Sequence, residues 1–289
     1  MKLRRSMLYV PGNAPAMLRD AHIYGPDSVL FDLEDAVSPR EKDSARHLVF
    51  RAIKHFDYQG VERVVRVNGL DTPQGPEDVA AVVAAGVDAI RLPKTDSAQD
   101  VIEMARAVEA AEKRFGRTIG STALIAAIET ARGILNAREI ATASSRLVAI
   151  AIGAEDFVTD LHTTRSPEGV ELLAARSILV MAARAAGIMA IDTVFTGVDD
   201  AEGFLREVRL AKQLGFDGKS LIHPSQIALT HAVYTPAPAE IANAHRVITA
   251  AVEAEARGLG VVSLDGRMID KPIIQRARRV LALAGEVEP

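Results

Sequence analysis

Apolar residues fall along this chain in short, nearly uninterrupted runs, set apart by longer stretches in which they recur at helical spacing. Eight runs stand out: Ser6 to Val10, Ser28 to Asp32, Arg63 to Val67, Ala89 to Leu92, Ala123 to Ile128, Leu147 to Ile152, Met189 to Asp192 and Lys219 to Ile222. A run apolar on successive positions is the pattern of a strand buried on both faces of a parallel sheet. The segments between, such as Asp96 to Phe115 and Pro167 to Ala186, are rich in Ala, Glu and Arg, and several reach a Gly just before the next strand, as helices do. Strand–helix alternation repeated eight times predicts an α/β fold, a modified (β/α)8 TIM barrel. A doubly wound sheet is the competing architecture; it usually has fewer strands, and no GxGxxG follows the first strand here.

Beyond the eighth run the character changes. His223 and Pro224 open a loop, a helix is predicted over Ala239 to Arg257, GLGVVSLDGRMIDKP follows, and a last helix is predicted over Ile273 to Ala284. The expected organisation is a barrel domain over 1–235 and a helical extension over 236–289, either a plain packing element or an arm that carries a residue to an active site.

A barrel gathers the residues just past each strand into one mouth, where barrel enzymes keep their active sites. Here these are Pro11 and Gly12; Asp32, Glu34 and Asp35; Arg66 and Asn68; Lys94; Glu129; Glu155 and Asp156; Asp192 and Thr193; His223. Any one of them alone reads as easily as a solvated loop residue. The run ALIAAIE, however, stops at Glu129, and LVAIAIGAED stops at Glu155 and Asp156. Acids that end two successive core strands are poorly explained by folding and read as ligands for a hard cation. With a cationic anchor beside it, such a mouth suits a small substrate bearing carboxylate and carbonyl or hydroxyl oxygens, because arginine grips a carboxylate through two parallel hydrogen bonds.

Composition narrows the classes. With 289 residues, 48% of them hydrophobic, the chain can bury a large core. Its 34 basic residues are scattered among 38 acidic ones, for a net charge of −4, which argues against nucleic acid as a partner. The absence of cysteine excludes disulfides, thiolate metal sites and a thiol nucleophile. The apolar stretch near the start is cut short by Pro11 and Gly12, so neither a secretion signal nor a membrane span is expected, and the cytoplasm is the default location.

Other chemistries are weighed against the metal. Lys94 could form a Schiff base, although the adjacent acids offer another electron sink and a carboxylate or phosphate contact, or plain solvation, competes. Lys219 reads as structural, at the far end of the barrel, and His223 reads equally as loop packing or as part of the mouth. The remaining histidines, His22, His47 and His162 among them, lack zinc-site spacing. Ser166, before Pro167, reads as a helix cap or as part of an anion site at a helix start. No P-loop and no GxSxG elbow are present.

Taken in order, RRSMLYVPGN, VLFDLEDAV, REKDSAR, VVRVNGLDT, RLPKTDSAQDV, AAIET, IAIGAEDF, RSPEG, GFDGKSLIHP and GLGVVSLDGRMIDKP span essentially the whole chain. This series resembles the citrate lyase β-subunit family, within the HpcH/HpaI aldolase/citrate lyase superfamily. DLEDAV, RVN, the AIE acid and the GAED acid mark the superfamily; EKDSAR, RLPKTDSAQDV, RSPEG and GFDGKSLI mark the citrate branch. The resemblance implies Mg²⁺ bound by Glu129 and Asp156, a keto acid bound by Arg66 and the backbone amides of Gly153 and Ala154, and Glu34 and Lys94 beside the substrate. Glu34 and Asp35 would lie near the metal waters, Asp35 being as readily a structural partner of a base. Asp270, in MID-P, would act as acid or base toward the acetyl carbon, delivered from a neighbouring subunit of a homotrimer. The implied reaction cleaves a citryl thioester into oxaloacetate and an acetyl thioester, the acyl group riding on CoA or on the CoA-like prosthetic group of an acyl carrier protein γ subunit, with an α subunit for acyl exchange. A free-standing citramalyl-CoA or malyl-CoA lyase, and a noncatalytic scaffold subunit, are the alternatives.

Overall fold

In the computed structural model, which describes residues 2–256 and 262–286, eight parallel strands close into a barrel in chain order. They are β1 (Ser6–Pro11), β2 (Ser28–Asp32), β3 (Glu62–Arg66), β4 (Ala89–Leu92), β5 (Ala123–Ile128), β6 (Leu147–Ile152), β7 (Met189–Asp192) and β8 (Gly218–Leu221), with β8 returning to pair with β1. Met7, Leu30, Val64, Ala89, Ile125, Ala149, Ala151 and Ile191 pack together as the barrel interior. Their neighbours Val29, Val65, Ile90, Leu124 and Ile150 are as deeply buried on the other face, against the surrounding helices. That double burial is why the strands read as unbroken apolar runs.

Three strands differ from their predicted limits by a residue: β1 runs on to Pro11, and β3 and β8 each sit one residue earlier. β3 begins at Glu62, a charged position that is buried because Arg4 grips it through two 2.7 Å hydrogen bonds and Ser28 adds a third. β8 stops at Leu221 because the Ile222 amide donates to Gln226 Oε1 instead of continuing the ladder.

The helices start and stop for local reasons. Ala98–Arg114 opens on a capping box in which Ser97 and Asp100 satisfy each other's amides. Val170–Ala186 ends at Gly187, whose φ of 71° is open to glycine at little cost. Its start corrects the expectation for Ser166: the cap position belongs to Gly169, and Ser166, three residues earlier, accepts from the Gly169 amide and donates to Glu171. The Glu171 carboxylate also takes the Ser166 amide, so the chain's own carboxylate occupies the place proposed for an anion.

Strand alternation corrects another expectation. Because Ile191 faces the interior, Asp192 points outward and is not part of the mouth. It is fully buried between Arg176, at 2.8 and 3.0 Å, and Lys219, at 3.0 Å. Lys219 is structural: on β8 it pairs with Asp192 at the end of β7 and with Ser6 at the start of β1.

The chain divides into two compact units, Arg4–His231 and a second that contains Lys2, Leu3 and the residues from Ala232 onward. The second is built from the helix Pro238–Ala256, an antiparallel hairpin of β9 (Val262–Leu264) and β10 (Arg267–Ile269), and the helix Lys271–Ala284. Val247, Ile248, Ile269 and Leu281 are among its core. Arg257 and the GLGV of the GLGVVSLDGRMIDKP motif lie outside the described residues. Asp270 caps the last helix by accepting the Ile273 amide at 3.1 Å. No helix among the described residues is long and apolar enough to cross a membrane.

Candidate active site

The side chain two residues past each interior residue also points along the barrel axis, so the register carries Tyr9, Asp32, Arg66, Arg91 and Thr193 to the carboxyl ends of the strands. They line a cavity of about 460 Å³ together with Glu129, Gly153, Asp156 and Ser220, a size suited to a small ligand.

Glu129 follows β5 directly and is 3% exposed. Its Oε2 is buried without a hydrogen-bond partner, an arrangement that ordinarily calls for a proton or a cation. Burial, opposed by Arg66 and Arg91 and reinforced by Asp156 and Glu34, pushes its carboxyl up to about 7. Gly153 makes room for it: a Cβ there would come within 2.6 Å of Glu129 Cγ. Asp156 stands on the first turn of the helix Ala154–Asp160, exposed toward the opening. Glu155 also borders the cavity but is engaged by Arg165 at 2.9 Å. Among the described residues no three His, Cys, Asp or Glu side chains converge as a complete metal cage. Two carboxylates, one with an orphaned oxygen, fit an ion that keeps several waters, as Mg²⁺ does.

Arg66 is anchored from behind. Its Nε and Nη2 donate to the two oxygens of Asp32 at 2.8 and 2.7 Å, and Nη1 lies 3.0 Å from Glu34 and 3.4 Å from Asp35. Asp32 itself accepts the amides of Glu34 and Ala36 at 3.0 Å each. The VLFDLEDAV loop is thus wrapped around one carboxylate, and the amine of Lys42, from REKDSAR, ties it down through Leu33 O, Glu34 O and Asn68 Oδ1.

Lys94 adopts a φ of 43° and donates to Glu34 at 2.7 Å. That hydrogen bond, with the charges of Glu34 and Asp35, raises its proton affinity. A Schiff-base nucleophile must be neutral, so the site does not favour that chemistry. Burial raises Glu34 in spite of Arg66, whereas for Asp35 burial is outweighed by the Glu34 hydrogen bond and the charges of Arg66 and Lys94, which lower it.

Several expected mouth residues already have partners within the chain. The Gly153 amide donates to Ile128 O and the Ala154 amide to Thr193 Oγ1, both at 3.0 Å, so neither is free to hold a carboxylate without changing partner. Asn68 bonds Leu33 O and Asp78, and His223 turns to Ser225 Oγ, away from the cavity lining. Asp270, expected to reach the mouth of a neighbouring subunit and not its own, belongs to the second compact unit. Conversely, Tyr9 and Arg91 line the cavity without having been singled out. Strand parity is the signal that finds them, since each lies two residues beyond an interior position.

Comparison with known proteins agrees with this geometry. Residues 5–224 match the family model described as HpcH/HpaI aldolase/citrate lyase. The chain is 58% identical to the citrate lyase subunit beta of Haemophilus influenzae over 284 residues, covering 98% of each chain. A crystal structure of the protein CitE from Mycobacterium tuberculosis in complex with magnesium, acetoacetate and coenzyme A superposes with a TM-score of 0.78 at 32% identity, over 98% of this chain and 99% of that one. The M. tuberculosis citrate lyase beta subunit complexed with oxaloacetate and magnesium gives 0.69 at 33% identity, over 82% of this chain and all (100%) of that one. A closed eightfold barrel, paired acids after β5 and β6, and relatedness across nearly the full length place the chain in the HpcH/HpaI aldolase/citrate lyase family.

Proposed function

We propose that the chain is a Mg²⁺-dependent carbon–carbon lyase that cleaves a citryl thioester into oxaloacetate and an acetyl thioester, as the β subunit of citrate lyase. The observation that carries this reading is the buried, partnerless Oε2 of Glu129 in a cavity shared with Asp156 and Arg66. It is supported by the near full-length similarity to a citrate lyase subunit beta and by the magnesium and oxaloacetate of the M. tuberculosis structure.

Glu129 and Asp156 would hold the ion, water and substrate oxygens completing its shell. There it supplies Lewis acidity, lowering the pKa of the substrate hydroxyl and stabilising the oxygen that becomes the ketone. The chain's own groups do the rest. Arg66, its inner edge fixed by Asp32, turns its remaining N–H toward the keto-acid carboxylate and offsets charge as the carbon–carbon bond breaks. Lys94 and Glu34, locked together at 2.7 Å, would lie beside the substrate. Asp270, supplied by a neighbouring subunit of a homotrimer, gives a proton to the acetyl carbon as the enolate leaves. An α subunit for acyl exchange, an acyl carrier protein γ subunit that carries the thioester, and a cytoplasmic setting complete the proposal.

The test is an assay of purified protein with Mg²⁺ and citryl-, citramalyl- and malyl-CoA, following keto-acid release. Preference for citryl-CoA is expected; preference for another thioester makes the chain a free-standing lyase of the same family, and binding without cleavage makes it a scaffold subunit.

A further inference from the structure

Arg91 is the cavity's second arginine, and among the described residues no carboxylate forms an ion pair with it, although its charge reaches Glu129. β4 places Ala89 in the barrel interior, so Arg91 projects into the cavity, 2% exposed and among the largest fully buried side chains. Its Nη1 donates to Ser220 Oγ at 3.1 Å, its guanidinium lies 5.5 Å from the Tyr9 ring centroid, and its Nε is buried with no hydrogen-bond partner. Arg66, by contrast, draws Asp32, Glu34 and Asp35. A desolvated guanidinium held by one hydroxyl and one ring face is costly unless an anion completes it, and strands β1, β4 and β8 fix its direction before any ligand binds.

We infer that Arg91 is a specificity-determining residue that binds the second carboxylate of a 2-oxo dicarboxylic acid, distinguishing it from a 2-oxo monocarboxylic acid. The inference rests on the reading of the cavity as a keto-acid site and deepens it. A citryl thioester differs from a citramalyl thioester in the keto-acid half by one carboxylate, which becomes the distal carboxylate of oxaloacetate; pyruvate has hydrogen in its place. Arg66 and the ion serve the 2-oxo-carboxylate common to both, so a further buried cation is needed only for the dicarboxylic ligand. Nε and the free N–H groups of Arg91 offer the parallel pair of donors that a carboxylate takes.

The experiment measures oxaloacetate and pyruvate binding to the full-length protein by calorimetry in Mg²⁺, for wild type, Arg91→Met and Arg91→Lys. Arg91→Met is expected to weaken oxaloacetate about 100-fold, the scale of a lost charge-assisted pair, and to leave pyruvate within about twofold. Arg91→Lys keeps a cation in the barrel but not the fork, and is expected to weaken oxaloacetate about tenfold with pyruvate again unmoved, which preserves the test if the methionine variant does not fold. Equal losses for the two acids, or no loss for oxaloacetate, would overturn the inference, as would a wild type that binds neither. Selective loss in a protein that does not cleave citryl-CoA would sustain the role of Arg91 while refuting the lyase reading.

Discussion

Asp32 and Arg66 are joined by two parallel hydrogen bonds, 2.8 and 2.7 Å long, between the paired last residues of β2 and β3. The carboxylate is buried and accepts two backbone amides of its own loop as well. Asp32 is therefore a positioning residue: it aims a guanidinium that would otherwise swing through several rotamers.

Asp32→Asn should lower kcat/KM for the thioester about 100-fold through misplacement of Arg66, while circular dichroism shows the barrel intact. Unchanged kinetics would mean that the pair is only a structural clamp.

Glu129 and Asp156 should govern the metal. Glu129→Gln or Asp156→Asn is expected to weaken Mg²⁺ binding by roughly 10–100-fold or more, since even losing an outer-sphere partner costs that much. Calorimetric titration of chelator-treated protein checks this.

The raised carboxyl of Glu129 sets a pH dependence. Its folded pKa of about 7 lies above the 4.5 of an ordinary glutamate, so the metal-free folded state holds a proton that the unfolded chain gives up. Its contribution to stability is complete below about 4.5 and is lost as pH rises through about 7. Binding of an ion displaces the proton, so Mg²⁺ affinity should fall about tenfold per pH unit below neutrality in wild type and lose that slope in Glu129→Gln. Titrations at pH 6 and 8, values near and beyond the shifted carboxyl, measure it.

Asp270 caps a helix as well as carrying a proposed proton, and the two roles separate by substitution. Asp270→Asn keeps a good cap and should suppress turnover while leaving Mg²⁺ binding and melting temperature near wild type; Asp270→Ala should suppress turnover and also cost about 1 kcal/mol. Normal turnover in the asparagine variant would remove Asp270 from the chemistry.

Glu112 tests a part of the barrel remote from the cavity. Its buried carboxylate takes Arg146 at 2.7 Å and the amides of Gly120 and Thr122 at 2.9 Å. Burial is outweighed by these partners, which hold it down at about 2. A depressed carboxylate contributes stability above the ordinary glutamate value of 4.5 that is lost as pH falls toward about 2. Glu112→Gln should cost about 3 kcal/mol near neutrality, leaving Arg146 unpaired, and flatten the acid limb of the melting-temperature profile.

The barrel was legible because strands buried on both faces leave unbroken apolar runs, and two of the one-residue differences arise where a charged residue, Glu62, is buried by Arg4 and where a side chain, Gln226, captures the next amide. Glu129 and Asp156 were legible as acids that close such runs. Arg91 was not, because an arginine inside AIRL counts as one strand residue until the parity of Ala89 shows which way it points. The engaged amides of Gly153 and Ala154 depend on Ile128 and Thr193, contacts that only the closed barrel creates. The β9–β10 hairpin did leave a signal, the Asp265–Gly266 pair, whose φ values of 52° and 76° suit a two-residue turn.

The most direct test is oxaloacetate release from citryl-CoA by chelator-treated full-length protein before and after Mg²⁺ is restored. No release is expected before addition and full release after it, with Glu129→Gln and Asp156→Asn needing more Mg²⁺ than wild type to recover. Undiminished release by the metal-free protein would contradict the assignment of Glu129 and Asp156 to a catalytic ion.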